Sequence, residues 1–131
     1  MWSTDHDTAI KVHDYEQGYG NERDSYLRLA EFGVTERLDG FWLPKMLGYN
    51  DELWVIEMDI IAAPPYIIDF AKVRINFPPE FTEEVLADQE RKGLDDFGEN
   101  WQKVKRLLIS LESFQLYYLD PTPSNIVFPK Q

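Results

Sequence analysis

The chain has 131 residues, of which 44% are hydrophobic, 15% aromatic and 28% charged. This composition predicts one globular domain that buries about two-thirds of its unfolded surface, and it excludes an intrinsically disordered chain. The formal net charge of −11 repels nucleic-acid phosphates and anionic lipid, so we expect neither nucleic acid nor a membrane surface as a partner. The chain has no cysteine, which excludes disulfides and thiolate metal sites.

No segment of the sequence predicts secretion or membrane insertion. The first residues, MWSTDHDT, contain neither a basic region nor an apolar run. The most apolar stretch, IIAAPPYII, is interrupted by two prolines and is too short to cross a bilayer. We therefore expect a cytoplasmic protein.

The first half of the chain predicts a strand, a helix and a pair of strands. TAIKVHD (8–14) alternates in hydrophobicity as a strand does. EQGYGN contains two glycines and is predicted to be a loop, with Asn21 as the N-cap of a helix that ends at Gly33. FWLPKMLGYN and ELWVIEMDII read as strands joined by a turn at Asn50-Asp51.

The second half is predicted to be mostly helical. It begins with an irregular or short-strand region, PPYIIDFAKVRINFPPEF, after which Thr82 can cap a helix through EEVLADQERKG. A further helix is predicted over residues 100–114, because its apolar residues recur at intervals of three and four. These stripe residues are Val104, Leu107, Leu108 and Leu111. The element order predicts an α+β fold: a small antiparallel sheet with one packed helix, followed by a helical part.

Four polar residues fall at notable points in this order. Lys11 is the last residue of the triplet Ala-Ile-Lys in the first predicted strand, and Glu22 lies early in the first helix. Asp120 and Asn125 stand five residues apart in DPTPSN, a proline-rich loop. Together they resemble the motifs of a protein kinase-like domain. ERDSYLRLAEFGV and LGYNDELWVIEM are similar to the aminoglycoside-phosphotransferase branch. The resemblance spans residues 8–128 and implies a minimal, single, truncated kinase-like domain over residues 1–131.

The resemblance implies a two-part organisation and a role for each polar residue. Residues 1–60 would form an N-lobe-like sheet and helix, and residues 61–131 a partial helical lobe ending in the catalytic-loop-like segment. Lys11 would hold the α- and β-phosphates of ATP, with Glu22 paired to it. Asp120 would be the catalytic base and Asn125 a Mg²⁺ ligand.

The strand ELWVIEM resembles the strand that leads into the adenine-binding hinge, whose backbone would come from Glu57, Met58 and Asp59. The implied function is an ATP- and Mg²⁺-binding phosphotransferase acting on a hydroxyl of a protein or small molecule, or a degenerate, pseudokinase-like relative of one. The alternative, from a different functional class, is a protein-interaction module that binds no nucleotide.

The sequence also departs from the family pattern. No glycine-rich loop precedes Lys11, because the nearest glycines follow it. Tyr118-Leu119 stand where His-Arg is usual, and Thr122 replaces a Lys or His that would face the transferring phosphate. The sequence ends six residues after Asn125, before any Asp-Phe-Gly segment, which leaves open that a second chain completes the lobe.

One segment resembles the Asp-Phe-Gly strand but lies before the catalytic-loop-like segment. In IIDFAKV (67–73), Asp69 is either a relocated metal ligand in a permuted site or a polar residue in a loop beside the hinge. Because short motifs recur often by chance, the sequence alone favours the second interpretation.

Overall fold

The computed structural model describes residues 2–3, 8–59, 63–119 and 121–130. The predicted base Asp120 therefore lies outside the described residues. The helices are α1 (Glu16–Glu31), α2 (Glu83–Phe97) and α3 (Trp101–Ser113). The strands are β1 (Trp2–Ser3), β2 (Thr8–Val12), β3 (Arg37–Leu38), β4 (Phe41–Trp42), β5 (Met46–Asn50), β6 (Val55–Asp59), β7 (Tyr66–Ile67), β8 (Arg74–Ile75), β9 (Leu116–Tyr117) and β10 (Ile126–Val127).

The largest sheet is antiparallel and has the strand order β1-β2-β6-β5. The strand predicted within residues 8–14 is confirmed over Thr8–Val12, and the predicted hairpin turn at Asn50-Asp51 is confirmed. The first predicted run of the hairpin is divided, because its residues Phe41–Trp42 form β4 in another sheet. The Asn50 side chain caps that turn by accepting hydrogen bonds from the N–H groups of Glu52 and Leu53, each at 2.9 Å. In β2, Thr8 and Ala9 are buried whereas Val12 at the end of the strand is exposed, so burial falls along the strand and does not alternate strictly between its faces.

Helix α1 packs against this sheet, but it begins earlier than the sequence indicates. Its N-cap is Tyr15, so the prediction of a loop at EQGYGN with a cap at Asn21 is wrong. Asn21 lies inside the helix, where its side-chain N–H donates to the carbonyl oxygen of Ala71 at 3.1 Å. The helix has a buried stripe of Tyr19, Glu22, Ser25, Tyr26 and Leu29, and its tertiary packing outweighs the low helix propensity of the glycines.

A second contact fixes α1 to the hairpin turn. The Tyr19 hydroxyl donates to Asp51 Oδ1 at 2.5 Å, and Arg23 Nη1 lies 2.8 Å from the same oxygen. The hydrogen bond from Tyr19, followed by the one from Arg23, lowers the pKa of Asp51. Burial, followed by the contact with Asp51, raises the pKa of Tyr19 to about 12.

Two smaller sheets combine strands from the segment between α1 and α2 with strands that follow α3. One has the order β10-β7-β4-β3, in which β7 pairs antiparallel with β10 and parallel with β4. The other is the antiparallel pair of β8 and β9. The expectation of an irregular region with short strands before the helical part is confirmed.

The helical part consists mainly of α2 and α3. Thr82 caps α2 as predicted, since its Oγ1 accepts a hydrogen bond from the N–H of Val85 at 3.1 Å. The helix continues beyond Gly93, which packs under the ring of Trp101. The predicted stripe of α3 is buried at all four positions: Val104, Leu107, Leu108 and Leu111.

The chain therefore has an α+β fold, with a four-stranded antiparallel sheet, one helix packed on it, and a helical part that follows. Its core joins these parts, because residues from the sheet, from α1 and from α3 belong to one buried hydrophobic cluster. Among the described residues, no helix is long and apolar enough to cross a membrane.

Candidate functional site

Lys11 and Glu22 form the centre of the candidate site. Lys11 lies on β2 and Glu22 on the α1 face that packs on the sheet. The Lys11 ammonium is 2.9 Å from Glu22 Oε1 and 3.0 Å from Oε2. The Glu22 side chain is completely buried, whereas that of Lys11 is 20% exposed. The predicted contact between these two residues is confirmed, and one side of the cation stays open to solvent.

Asp69 lies beside the same lysine. Its Oδ1 atom is 3.4 Å from Lys11 Nζ, so Lys11 stands between two carboxylates. The backbone N–H of Phe70, the next residue, donates to Glu22 Oε2 at 2.7 Å. Asp69 is therefore part of the Lys11–Glu22 cluster. It lies in the loop segment that follows β7, and its role as a relocated metal ligand stays a prediction.

Two further side chains surround the buried carboxylate. His13 Nε2 is 3.3 Å from Glu22 Oε1, and its Nδ1 is 3.4 Å from the carbonyl oxygen of Trp54. The buried hydroxyl of Tyr26 has no hydrogen-bond partner among the described residues. Burial, followed by the negative charges of Glu22 and Asp69, raises the pKa of Tyr26 well above its ordinary value. Tyr26 therefore stays a neutral phenol next to the cluster.

The loop that carries Asn125 reaches Asp69 through strand pairing. Ile126 of β10 pairs with Ile67 of β7, and the N–H of Ile68 donates to the carbonyl oxygen of Asn125 at 3.1 Å. This pairing brings the residue before β10 next to the residues after β7. As a result, Asp69 and Asn125 line the same cleft, although 56 positions separate them in the sequence (125 − 69).

The same cleft receives residues from both sides of the undescribed Asp120. Its other lining residues are Lys72, Val73, Tyr118 and Leu119. The segment after Asp120 is held by a turn in which the N–H groups of Asn125 and Ile126 donate to the carbonyl oxygen of Thr122, at 3.0 and 2.9 Å. Asn125 shares this cleft with Asp69, which is 3.4 Å from Lys11, but Lys11 itself is not among the residues that line it. The convergence of Asp120 and Asn125 on Lys11 stays a prediction, because Asp120 is not among the described residues.

The predicted hinge residues belong to β6, the strand between β2 and β5. Glu57 and Met58 pair with Ile10 and Ala9 on one side and with β5 on the other. The backbone N–H of Asp59 donates to the carbonyl oxygen of Lys45 at 3.0 Å. Because these backbone groups take part in sheet pairing, an adenine-binding role for Glu57, Met58 and Asp59 stays a prediction that no contact supports.

Sequence reasoning missed Lys72 as a residue of the cleft and did not place Asp69 beside Lys11 and Glu22. The signal for both was present in the segment IIDFAKV, whose resemblance to Asp-Phe-Gly covers Asp69 and Phe70. The position of this segment before the catalytic-loop-like segment argued against a role in the site. The order of segments along the sequence, however, does not show which strands pair.

The cleft offers oxygen ligands of the kind that Mg²⁺ prefers: the carboxylate of Asp69 and the side-chain carbonyl of Asn125. Across the described ranges, no group of three or more His, Asp or Glu side chains could hold a metal ion by itself. The residues therefore fit a cation that keeps several other ligands, such as waters or phosphate oxygens.

Comparisons of this chain with protein-family models, with curated proteins and with solved structures found no match.

Proposed function

We propose that this protein binds Mg²⁺-ATP at the Lys11–Glu22–Asp69–Asn125 cluster, as a kinase-like phosphotransferase or a degenerate relative of one. The single observation that carries the proposal is the ammonium of Lys11, 2.9 Å from Glu22 and 3.4 Å from Asp69, beside a cleft that Asp69 shares with Asn125. Protein kinases need this set of residue types together: a strand lysine, a helix glutamate, and one Asp and one Asn for Mg²⁺.

The arrangement of Lys11 suits a phosphate ligand better than a purely structural role. A structural ion pair would need only one carboxylate, whereas two carboxylates flank this cation. The excess negative charge would be offset by a bound metal ion. The partial exposure of Lys11 leaves room for a phosphate oxygen, and the buried Glu22 prevents the ammonium from leaving its position.

In this proposal the site is permuted along the chain. Asp69 would supply the metal ligand that the family carries after the catalytic loop, although it comes before that loop here. Asn125 would supply the second ligand. The pairing of β7 with β10 supports this reading, because it joins the two segments regardless of their order in the sequence.

The bound Mg²⁺ would neutralise phosphate charge and orient the terminal phosphate. Lys11 would hold the non-transferred phosphates, and Glu22 would orient Lys11. Asp120 would accept the proton of an acceptor hydroxyl in an active enzyme. Transfer and binding are separable, because loss of one charged residue can remove transition-state stabilisation while the ground-state complex survives.

The proposal is tested by titration calorimetry and thermal unfolding with ADP and ATP, with and without Mg²⁺. A nucleotide at one hundred times its dissociation constant should stabilise the protein by about 2.7 kcal/mol. Asp69→Asn and Asn125→Ala should weaken the Mg²⁺ dependence of binding. Asp95→Asn, an exposed change on α2, serves as the matched control for Asp69→Asn.

Asp120→Asn separates transfer from binding, since it should leave Mg²⁺-ATP binding intact and abolish any phosphate transfer. Unchanged nucleotide and metal binding in both Asp69→Asn and Asn125→Ala would refute the assigned site. If the unmodified protein binds no nucleotide at all, the interaction-module alternative becomes the better description.

A further inference from the structure

We propose that Lys72 is an additional phosphate-binding residue of this site, and that it contacts the terminal phosphate of a bound nucleoside triphosphate. The inference rests on the function proposed above, and it names a residue that the sequence motifs did not assign.

The position of Lys72 is fixed by its neighbours. The N–H of Ala71 donates to Asp69 Oδ1 at 2.9 Å, and the carbonyl oxygen of Ala71 accepts a hydrogen bond from Asn21 of α1 at 3.1 Å. The backbone leading into Lys72 is therefore held against both the Asp69 carboxylate and α1. The Lys72 side chain is exposed, and it lines the cleft that contains Asp69 and Asn125.

Lys72 also stands where two depressions of the surface meet. The first is the cleft with Asp69 and Asn125, and the second is a wide groove between the start of α1 and residues 71–76. Lys72, Val73 and Leu119 line both. A ligand whose phosphates lie in the cleft and an acceptor that enters through the groove would meet beside Lys72.

The distribution of charged side chains in and beside the cleft also supports a role for Lys72. Lys11 already lies between the carboxylates of Glu22 and Asp69, so much of its charge is compensated. The only charged side chains that line the described part of the cleft are Asp69 and Lys72. Among the described residues, Lys72 forms no hydrogen bond or ion pair, so its ammonium is available to a ligand.

A transferring phosphate requires such a cation, because negative charge on its oxygens must be stabilised. The 120–125 loop has Thr122 at the position where the family has a Lys or His, so that loop lacks the charge. Lys72 would supply the missing charge from the segment that carries Asp69.

Arg74 provides a matched control on the same segment. It is exposed like Lys72, and it lines the wide groove but not the cleft. Replacing either residue by Met removes one positive charge from a chain of net charge −11, so the long-range electrostatic change is the same in both variants. Any difference between the variants then reports proximity to the cleft.

The experiment is titration calorimetry of the full chain, Lys72→Met and Arg74→Met with two probes, Mg²⁺-ADP and the Mg²⁺ complex of the non-hydrolysable analogue adenylyl imidodiphosphate. We expect Lys72→Met to weaken binding of the triphosphate analogue about tenfold and to leave ADP affinity within about twofold. Arg74→Met should leave the ratio of the two affinities unchanged. The thermal unfolding of each variant checks that the fold is retained.

An unchanged ratio in Lys72→Met, with normal nucleotide binding by the parent chain, would overturn the role of Lys72 and leave the proposed function standing. An equal loss in Arg74→Met would also overturn it, because the effect would then be one of net charge. If the parent chain binds neither probe, the proposed function fails together with this inference.

Discussion

The backbone N–H of Phe70 donates a 2.7 Å hydrogen bond to the carboxylate of Glu22, whose other oxygen is 2.9 Å from Lys11 Nζ. One completely buried side chain thus joins α1, β2 and the segment after β7. A buried carboxylate is tolerated only when it is paired and hydrogen-bonded, and Glu22 meets both conditions. This relationship connects the stability of the fold to the proposed site.

Glu22→Gln should therefore lower the free energy of unfolding by about 2 kcal/mol, because it removes the charge that pairs with Lys11 while it keeps the side-chain volume. Chemical denaturation measures the effect. Glu31→Gln, at the exposed end of the same helix, should change stability by no more than about 0.5 kcal/mol. A double-mutant cycle with Lys11→Met should show coupling, and additive effects would mean that the two residues stabilise the fold independently.

Tyr19→Phe tests the attachment of α1 to the hairpin turn. The substitution keeps the buried ring and removes the hydrogen bond to Asp51, so we expect a loss of about 1 kcal/mol at neutral pH. The folded state raises the Tyr19 pKa from 10.0 to about 12 and so favours the protonated phenol. The stability that the protonated Tyr19 phenol contributes is therefore complete below pH 10 and is lost as the pH rises towards 12.

The stability difference between the parent and Tyr19→Phe should consequently shrink over that alkaline range. Urea unfolding at a series of pH values measures it. A difference that stays constant from pH 9 to 12 would show that the Tyr19 pKa is not raised in the folded state.

Replacing either of two helical glycines by alanine should change the stability of the protein, and the two changes should have opposite signs. A Cβ on Gly93 would overlap the ring of Trp101, which is buried and stacked on Phe97, so Gly93→Ala should destabilise the protein by about 1–3 kcal/mol. A Cβ on Gly20 meets no atom within 4 Å, so Gly20→Ala should stabilise α1 by about 0.5–1 kcal/mol. Melting temperatures compare the two variants, and equal shifts of the same sign would contradict the described packing of α2 on α3.

The two faces of α3 should differ strongly in their tolerance of truncation. Leu111 is completely buried in the core, and Leu111→Ala should cost about 2–5 kcal/mol. Ile109 lies on the same helix and is 65% exposed, so Ile109→Ala should cost less than about 1 kcal/mol. Guanidinium denaturation distinguishes these outcomes, and similar costs at the two positions would indicate that the exposed face is covered in solution.

Local patterns in the sequence were sufficient to predict the three α-helices and the three five-residue strands β2, β5 and β6. The period of apolar residues identified β2 and the buried stripe of α3, and Thr82 and Asn50 marked a helix cap and a turn. These features depend on neighbours within a few residues, so the local sequence contains the information that specifies them. The start of α1 was mispredicted because its glycines argue against a helix locally, while burial of its Tyr19–Leu29 face stabilises it.

The candidate site depends both on local sequence motifs and on the tertiary structure. The types and order of Lys11, Glu22 and Asn125 were visible in the sequence, and they led to the correct expectation that Lys11 contacts Glu22. The position of Asp69 was not visible, because it follows from the pairing of β7 with β10 across more than fifty residues. Strand pairing at such distances is set by the burial of side chains in the assembled core, and no local pattern encodes it. Only the tertiary structure brings Asp69 and Lys72 to the cleft of Asn125.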